Sequence, residues 1–181
     1  MQALPRAASC ALLVCLLSLT AHASGFTPYC FGTQSACPCG NAGGTGQGCL
    51  NSFGNGAQLS GMGTTSVSSD TVLLSTIGLP TTTTIVFFQG TAPVNNGLGS
   101  VLGDGLRCAT GSIVRLGTRT ASAGACSFGA GISGDPLLSV IGRIPGAGGR
   151  RYYQGWYRNT ASFCMPEGYN LSNGLLIEWV P

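Results

Sequence analysis

Few residues in this chain can move a proton or attack a bond. Its acids are Asp70, Asp104, Asp135, Glu167 and Glu178, it has five tyrosines, it has no lysine, and its one histidine, His22, lies in the N-terminal leader. Without a histidine or lysine in the body of the chain there is no Ser-His-Asp triad, Cys-His pair, histidine metal site or Schiff-base lysine. A hydrolase with two carboxylates facing across a cleft is the remaining catalytic class. Asp70, Asp104, Asp135 and Glu167 are its candidates, and each has a simpler local role. Asp104 and Glu167 each precede a glycine, Asp135 precedes Pro136 as a turn initiator, and Asp70 lies among serines and threonine whose backbone it can bond. No catalytic residue is therefore expected.

The binding chemistries are equally sparse. Cys37-x-Cys39 is too tightly spaced for a zinc knuckle and has no histidine beside it. The Gly103-Asp104-Gly105 and Gly134-Asp135 stretches match no calcium loop, so no metal and no cofactor is expected. Beyond the leader, seven arginines face five acids, a balance too small and too scattered for a nucleic-acid footprint. Tyr153, Trp156 and Tyr157 are candidates for stacking on a glycan, although half of the rings on a strand face a core. Asn170-Leu171-Ser172 is a glycosylation sequon.

Residues 1–23 read as a secretory signal: Arg6 is followed by an apolar run over 7–20 and by Ala21-His22-Ala23, with cleavage near Ser24. A lipoprotein reading at Cys15 is opposed by Val14 before it and by the apolar run beyond it. The mature chain of about 158 residues suits one domain, with a cysteine-rich segment over 24–56 and a body over 57–181. No later segment has the length of a membrane span. Cys30, Cys37, Cys39, Cys49, Cys108, Cys126 and Cys164 remain after the leader, as a disulfide set with one thiol over. Cys30–Cys39 and Cys37–Cys49 are the local pairs to expect, though spacing does not determine connectivity.

The elements that position these residues are strands. Thr64–Thr76 alternates; Thr81–Gln89 is apolar on both faces, as a central strand covered twice requires; Arg151–Arg158 is the aromatic strand; Leu175–Val180 closes the chain. Val101–Leu116 reads as two strand runs around a turn, with Leu106 and Cys108 inward. Arg107 then points outward and is left unexplained; a pairing with Asp70 or Glu178 would be its structural account. Pro136–Ile144 reads as a further strand and Thr118–Asp135 as a surface loop. Some eight short strands with Gly/Pro turns imply an all-β fold, a single antiparallel β-sandwich of jelly-roll type with a disulfide-stapled N-terminal loop.

Tyr29-Cys30-Phe31-Gly32, Cys37-Pro38-Cys39-Gly40-Asn41, Phe87-Phe88-Gln89-Gly90, Gly103–Cys108, Tyr153–Arg158 and Phe163-Cys164 together resemble a family of exported bacterial domains. The family is abundant in planctomycete-type genomes and has no established activity. The resemblance runs from Tyr29 to Trp179. It implies a secreted, disulfide-bonded, β-rich domain and supplies no catalytic residues. Cys126 departs from the family pattern, which makes it the free thiol and favours Cys108–Cys164 as a pair. The expectation is a non-catalytic structural or interaction domain, secreted or held at the cell surface or in the periplasm, with an extracellular polysaccharide or a cell-surface protein as partner. A carbohydrate-binding module using exposed aromatics and a carboxylate-pair hydrolase are the alternatives.

Overall fold

In a computed structural model, residues 25–159 and 163–181 are described. The expected signal segment and the Ser24 cleavage position lie outside them. The described residues are all-β: besides two short 3-10 turns they form thirteen strands and one turn of α-helix. In order these are β1 (Phe26–Tyr29), β2 (Gln58–Met62), β3 (Leu73–Ile77), β4 (Thr84–Gly90), β5 (Ala92–Pro93), β6 (Ser100–Leu102), β7 (Gly105–Arg107), β8 (Ala109–Thr110), β9 (Val114–Thr120), β10 (Cys126–Gly129), the turn of helix α1 (Leu138–Ile141), β11 (Gly149–Arg158), β12 (Tyr169–Leu171) and β13 (Gly174–Trp179).

The organising strand is β11. Its alternation sends Tyr153, Gly155 and Tyr157 to one face and Tyr152, Gln154, Trp156 and Arg158 to the other. It lies inside an antiparallel sheet ordered β1-β13-β11-β4-β9, with β12 paired to its far end. A second sheet, β10-β3-β2, shares one core with the inner face of the first. Ile85, Phe87, Tyr153, Tyr157, Leu175, Ile177 and Trp179 fill that core from the large sheet, and Leu59, Leu74 and Phe128 from the small one. Burying each such side chain contributes about 1.5–3 kcal/mol. Phe87 and Phe128 stack across the layers at 5.7 Å, and the Trp179 indole N–H donates to the Tyr153 hydroxyl at 2.9 Å. Gly117 makes the stacking possible, since a Cβ there would meet the Phe128 ring.

Three segments differ from the sequence reading. Pro136–Ile144 forms no strand: Leu138–Ile141 is a single helical turn, and the buried Asp70 carboxylate accepts the Ser139 N–H at 2.7 Å as well as the Val72 N–H at 2.8 Å. The apolar spacing of Leu137, Leu138, Ile141 and Ile144 suits a helix as well as a strand. Thr118–Asp135 is not merely a loop, because β9 extends to Thr120 and β10 pairs with β3, carrying Phe128 into the core. Thr64–Thr76 becomes strand only at Leu73, after one short 3-10 turn over Val67–Ser69.

Candidate functional site

The outer face of the large sheet bears Gln154 and Trp156 on β11 beside Phe88 and Val86 on β4. Outer-facing apolar residues in mid-sheet require a cover. At one end of the face the Gly103–Cys108 segment supplies it, and Gln154 is the clamp. Its carboxamide oxygen accepts the Cys108 N–H at 2.8 Å, and its nitrogen donates to Leu106 O at 2.7 Å and Ser172 O at 2.8 Å. Gln154 is fully buried, so each of these bonds replaces a lost bond to water.

Disulfides fasten the same cover. Cys30 pairs with Cys108, Cys37 with Cys49 and Cys39 with Cys164. The expected Cys30–Cys39 and Cys108–Cys164 pairs are therefore corrected. Cys30 follows directly on β1, which the Tyr29 hydroxyl ties to the Cys108 carbonyl at 3.1 Å, so the nearest thiol in space is 78 positions away in sequence. With Leu106, the sulfurs of Cys30, Cys37, Cys49 and Cys108 form a second, smaller core. Asp104, fully buried, accepts the Met165 N–H at 2.7 Å and the Asn159 amide, and ties the Gly-Asp-Gly turn to the loop held by Cys164.

The rest of the outer face is left open as a groove of about 370 Å³. Val86, Phe88, Leu102, Arg107, Ile113, Arg115, Trp156 and Leu171 line it. Arg115 stands directly opposite Phe88 in the β4–β9 register, just past a bulge after Phe87. Trp156 is half-buried, with the Tyr169 ring at 5.2 Å and the Arg158 guanidinium 5.1 Å above its ring. Among the sequence candidates for glycan stacking, Trp156 alone reaches this surface. Tyr153 and Tyr157 are fully buried in the main core, which removes them from that role.

Arg107 makes no ion pair with Asp70 or Glu178. Its Nε donates to its near neighbour Ala109 O at 3.1 Å, Asp70 is spent on backbone N–H groups, and Glu178 pairs with Arg150. Asp135 pairs with Arg119. None of the acids lines the groove. Sequence reasoning passed over Phe88, Arg115 and Ile113 as site residues; the doubly apolar Thr81–Gln89 run was their available signal. The sequon residue Asn170 is fully buried and donates to Leu50 O at 2.9 Å, so a glycan on it is incompatible with this fold.

Cys126 is the free thiol among the described cysteines, half-buried on β10. Burial pushes it up to about 11, against a smaller opposing effect of Arg119. Burial also raises the phenols of Tyr29, Tyr153 and Tyr157. Each group ionises more readily in the unfolded chain than in the folded one. Their stabilisation is complete below the unfolded values and is lost as pH rises through the folded ones. For Cys126 the window runs from pH 9.0 to about 11. The urea midpoint is expected to hold steady up to pH 9 and fall above it, and Cys126→Ser should flatten the first part of that fall.

Neither a family model, nor a curated protein, nor a solved structure matches the chain. Among the described residues no helix is long and apolar enough to cross a membrane. The three disulfides are consistent with a secreted or extracellular protein.

Proposed function

We propose that this is an exported, non-catalytic domain that works by binding, at the cell surface or beyond it, through the groove on the outer face of its large sheet. The observation that carries the reading is that groove: an apolar depression in a sheet face that the chain covers at one end and leaves open at the other. The disposition of the acids supports the non-catalytic part. Asp70 and Asp104 serve backbone and amide donors, Asp135 and Glu178 serve arginines, and no two of these face each other across the groove. The disulfides support export to an oxidising compartment. A polysaccharide platform would need several coplanar exposed rings, and Trp156 is left without Tyr153 and Tyr157. The proposal extends to membership of the exported bacterial family that the Cys30, Cys37-Pro38-Cys39 and Gly103–Cys108 motifs resemble.

The test is a binding screen of the purified, oxidised chain against glycans, peptides and small amphiphiles, run in parallel with Trp156→Ala. A ligand is expected that binds without chemical change and loses at least about tenfold in affinity in the variant, as truncating a groove-centre Trp does. Ligands whose affinity ignores Trp156→Ala would place the binding surface elsewhere and overturn the reading.

A further inference from the structure

We propose that the groove takes a small amphiphilic carboxylate: an apolar acyl or aryl body against Phe88, Trp156 and Ile113, and an anionic head on Arg107 and Arg115. The inference rests on the groove being the binding surface, and it deepens that reading by naming the ligand class.

The charge of the groove carries the argument. The lining of this apolar groove has two arginines and no acid. The ion pairs among the described residues are Arg119–Asp135 and Arg150–Glu178, so neither groove arginine is neutralised. Both guanidiniums are nevertheless held. Arg107 donates through Nε to Ala109 O, and Arg115 donates through one terminal nitrogen to the Thr118 hydroxyl. A guanidinium has five N–H donors, so each retains donors for a ligand after being steered by the protein. Planar donors of this kind match a carboxylate in a two-pronged fashion. The partner of complementary charge is an anion, and the apolar lining demands that it carry a hydrocarbon body.

Size narrows the class. At about 370 Å³ the groove lies near the lower end of small-molecule sites. It suits one short chain or one ring system better than a polymer. Arg107 sits on the disulfide-fastened cover, which the Gln154 clamp ties to β11, and Arg115 on β9 of the sheet, so the two cations belong to different elements.

Octanoate, its neutral counterpart octanol, and a short glutamate-rich peptide are the probes, titrated into the oxidised full chain by calorimetry and tryptophan fluorescence. Trp179 is buried in the main core, so a fluorescence change reports on Trp156. Octanoate is expected to bind saturably and more weakly as salt rises. Octanol should bind at least about tenfold more weakly. Arg107→Gln and Arg115→Gln should each reduce octanoate affinity about tenfold, since each removes charge-assisted bonds. Near-UV circular dichroism identifies any variant that has lost the fold, and because the arginines lie on separate strands either one suffices. Equal binding of octanol and octanoate, unchanged affinity in both arginine variants, binding of the peptide alone, or binding of no probe would each overturn the inference. If octanol binds equally and Trp156→Ala abolishes both, the groove remains the binding surface and only the anion is wrong. If octanoate binding ignores Trp156→Ala as well as both arginines, the groove reading fails with it.

Discussion

Replacing Cys30 and Cys108 together by alanine is expected to destabilise the folded chain by about 4–5 kcal/mol. In the chain-entropy account, a crosslink restricts the unfolded chain according to the loop it closes. The loop here spans 78 positions, against 12 for Cys37–Cys49, whose removal should cost about 3 kcal/mol. Both sulfurs are buried in the smaller core, so alanine also leaves a void. Cys30 sits at φ 57°, a left-handed conformation that alanine tolerates no better, so the substitution relieves no backbone strain. For a domain of this size the loss corresponds to a Tm lower by about 10 °C or more. Urea unfolding of the two double variants measures the difference. A loss for Cys30/Cys108 no greater than for Cys37/Cys49 would show that the long crosslink does not constrain the unfolded chain as described.

Gln154→Met should cost at least about 3 kcal/mol, although it nearly conserves volume in a fully buried position. The thioether cannot reproduce the carboxamide, so the Cys108 N–H and the carbonyls of Leu106 and Ser172 lose their partner. Each buried group left unpaired costs about 1–3 kcal/mol. The comparison that isolates this effect is Leu175→Met on the inner face, a near-isosteric change in an apolar site that should cost under about 1.5 kcal/mol. Chemical denaturation of both variants provides the measurement; equal losses would mean that Gln154 serves as filling and not as a clamp.

Much of the large sheet was legible because its strands obey simple alternation. Leu175, Ile177 and Trp179 are buried and Glu178 is exposed, as the closing strand requires, and the doubly apolar run at Ile85–Phe88 lies inside its sheet between β11 and β9, although its outer face is only partly covered. Phe128 escaped notice because its neighbours are glycine, alanine and serine, whose small side chains give no pattern until a second sheet lies over them. Leu137–Ile144 misled because its apolar spacing suits two periods, and what decides for a helical turn is Asp70, nearly seventy positions earlier. The crosslinks were illegible for the same reason. Cys37 and Cys39 do take separate partners, but they do so from a turn, and the partner of Cys39 lies 125 positions away. The groove shows the limit most clearly. Its lining comes from six strands and one loop, and nothing about Arg107 or Arg115 in sequence announces that they share a wall with Trp156.

The cover over the outer face has one more consequence. Leu102 and Arg107 form part of the groove, and they belong to a segment held down through Cys108 rather than through long ladders with the sheet beneath. The floor of the groove, by contrast, is built on the ladders of β11 with β4 and β13. The side bearing Arg107 is held to that floor by the Gln154 hydrogen bonds and by the Cys30–Cys108 crosslink together. The shape of the groove therefore depends on a covalent link made 78 positions away in sequence as well as on the sheet that forms its floor.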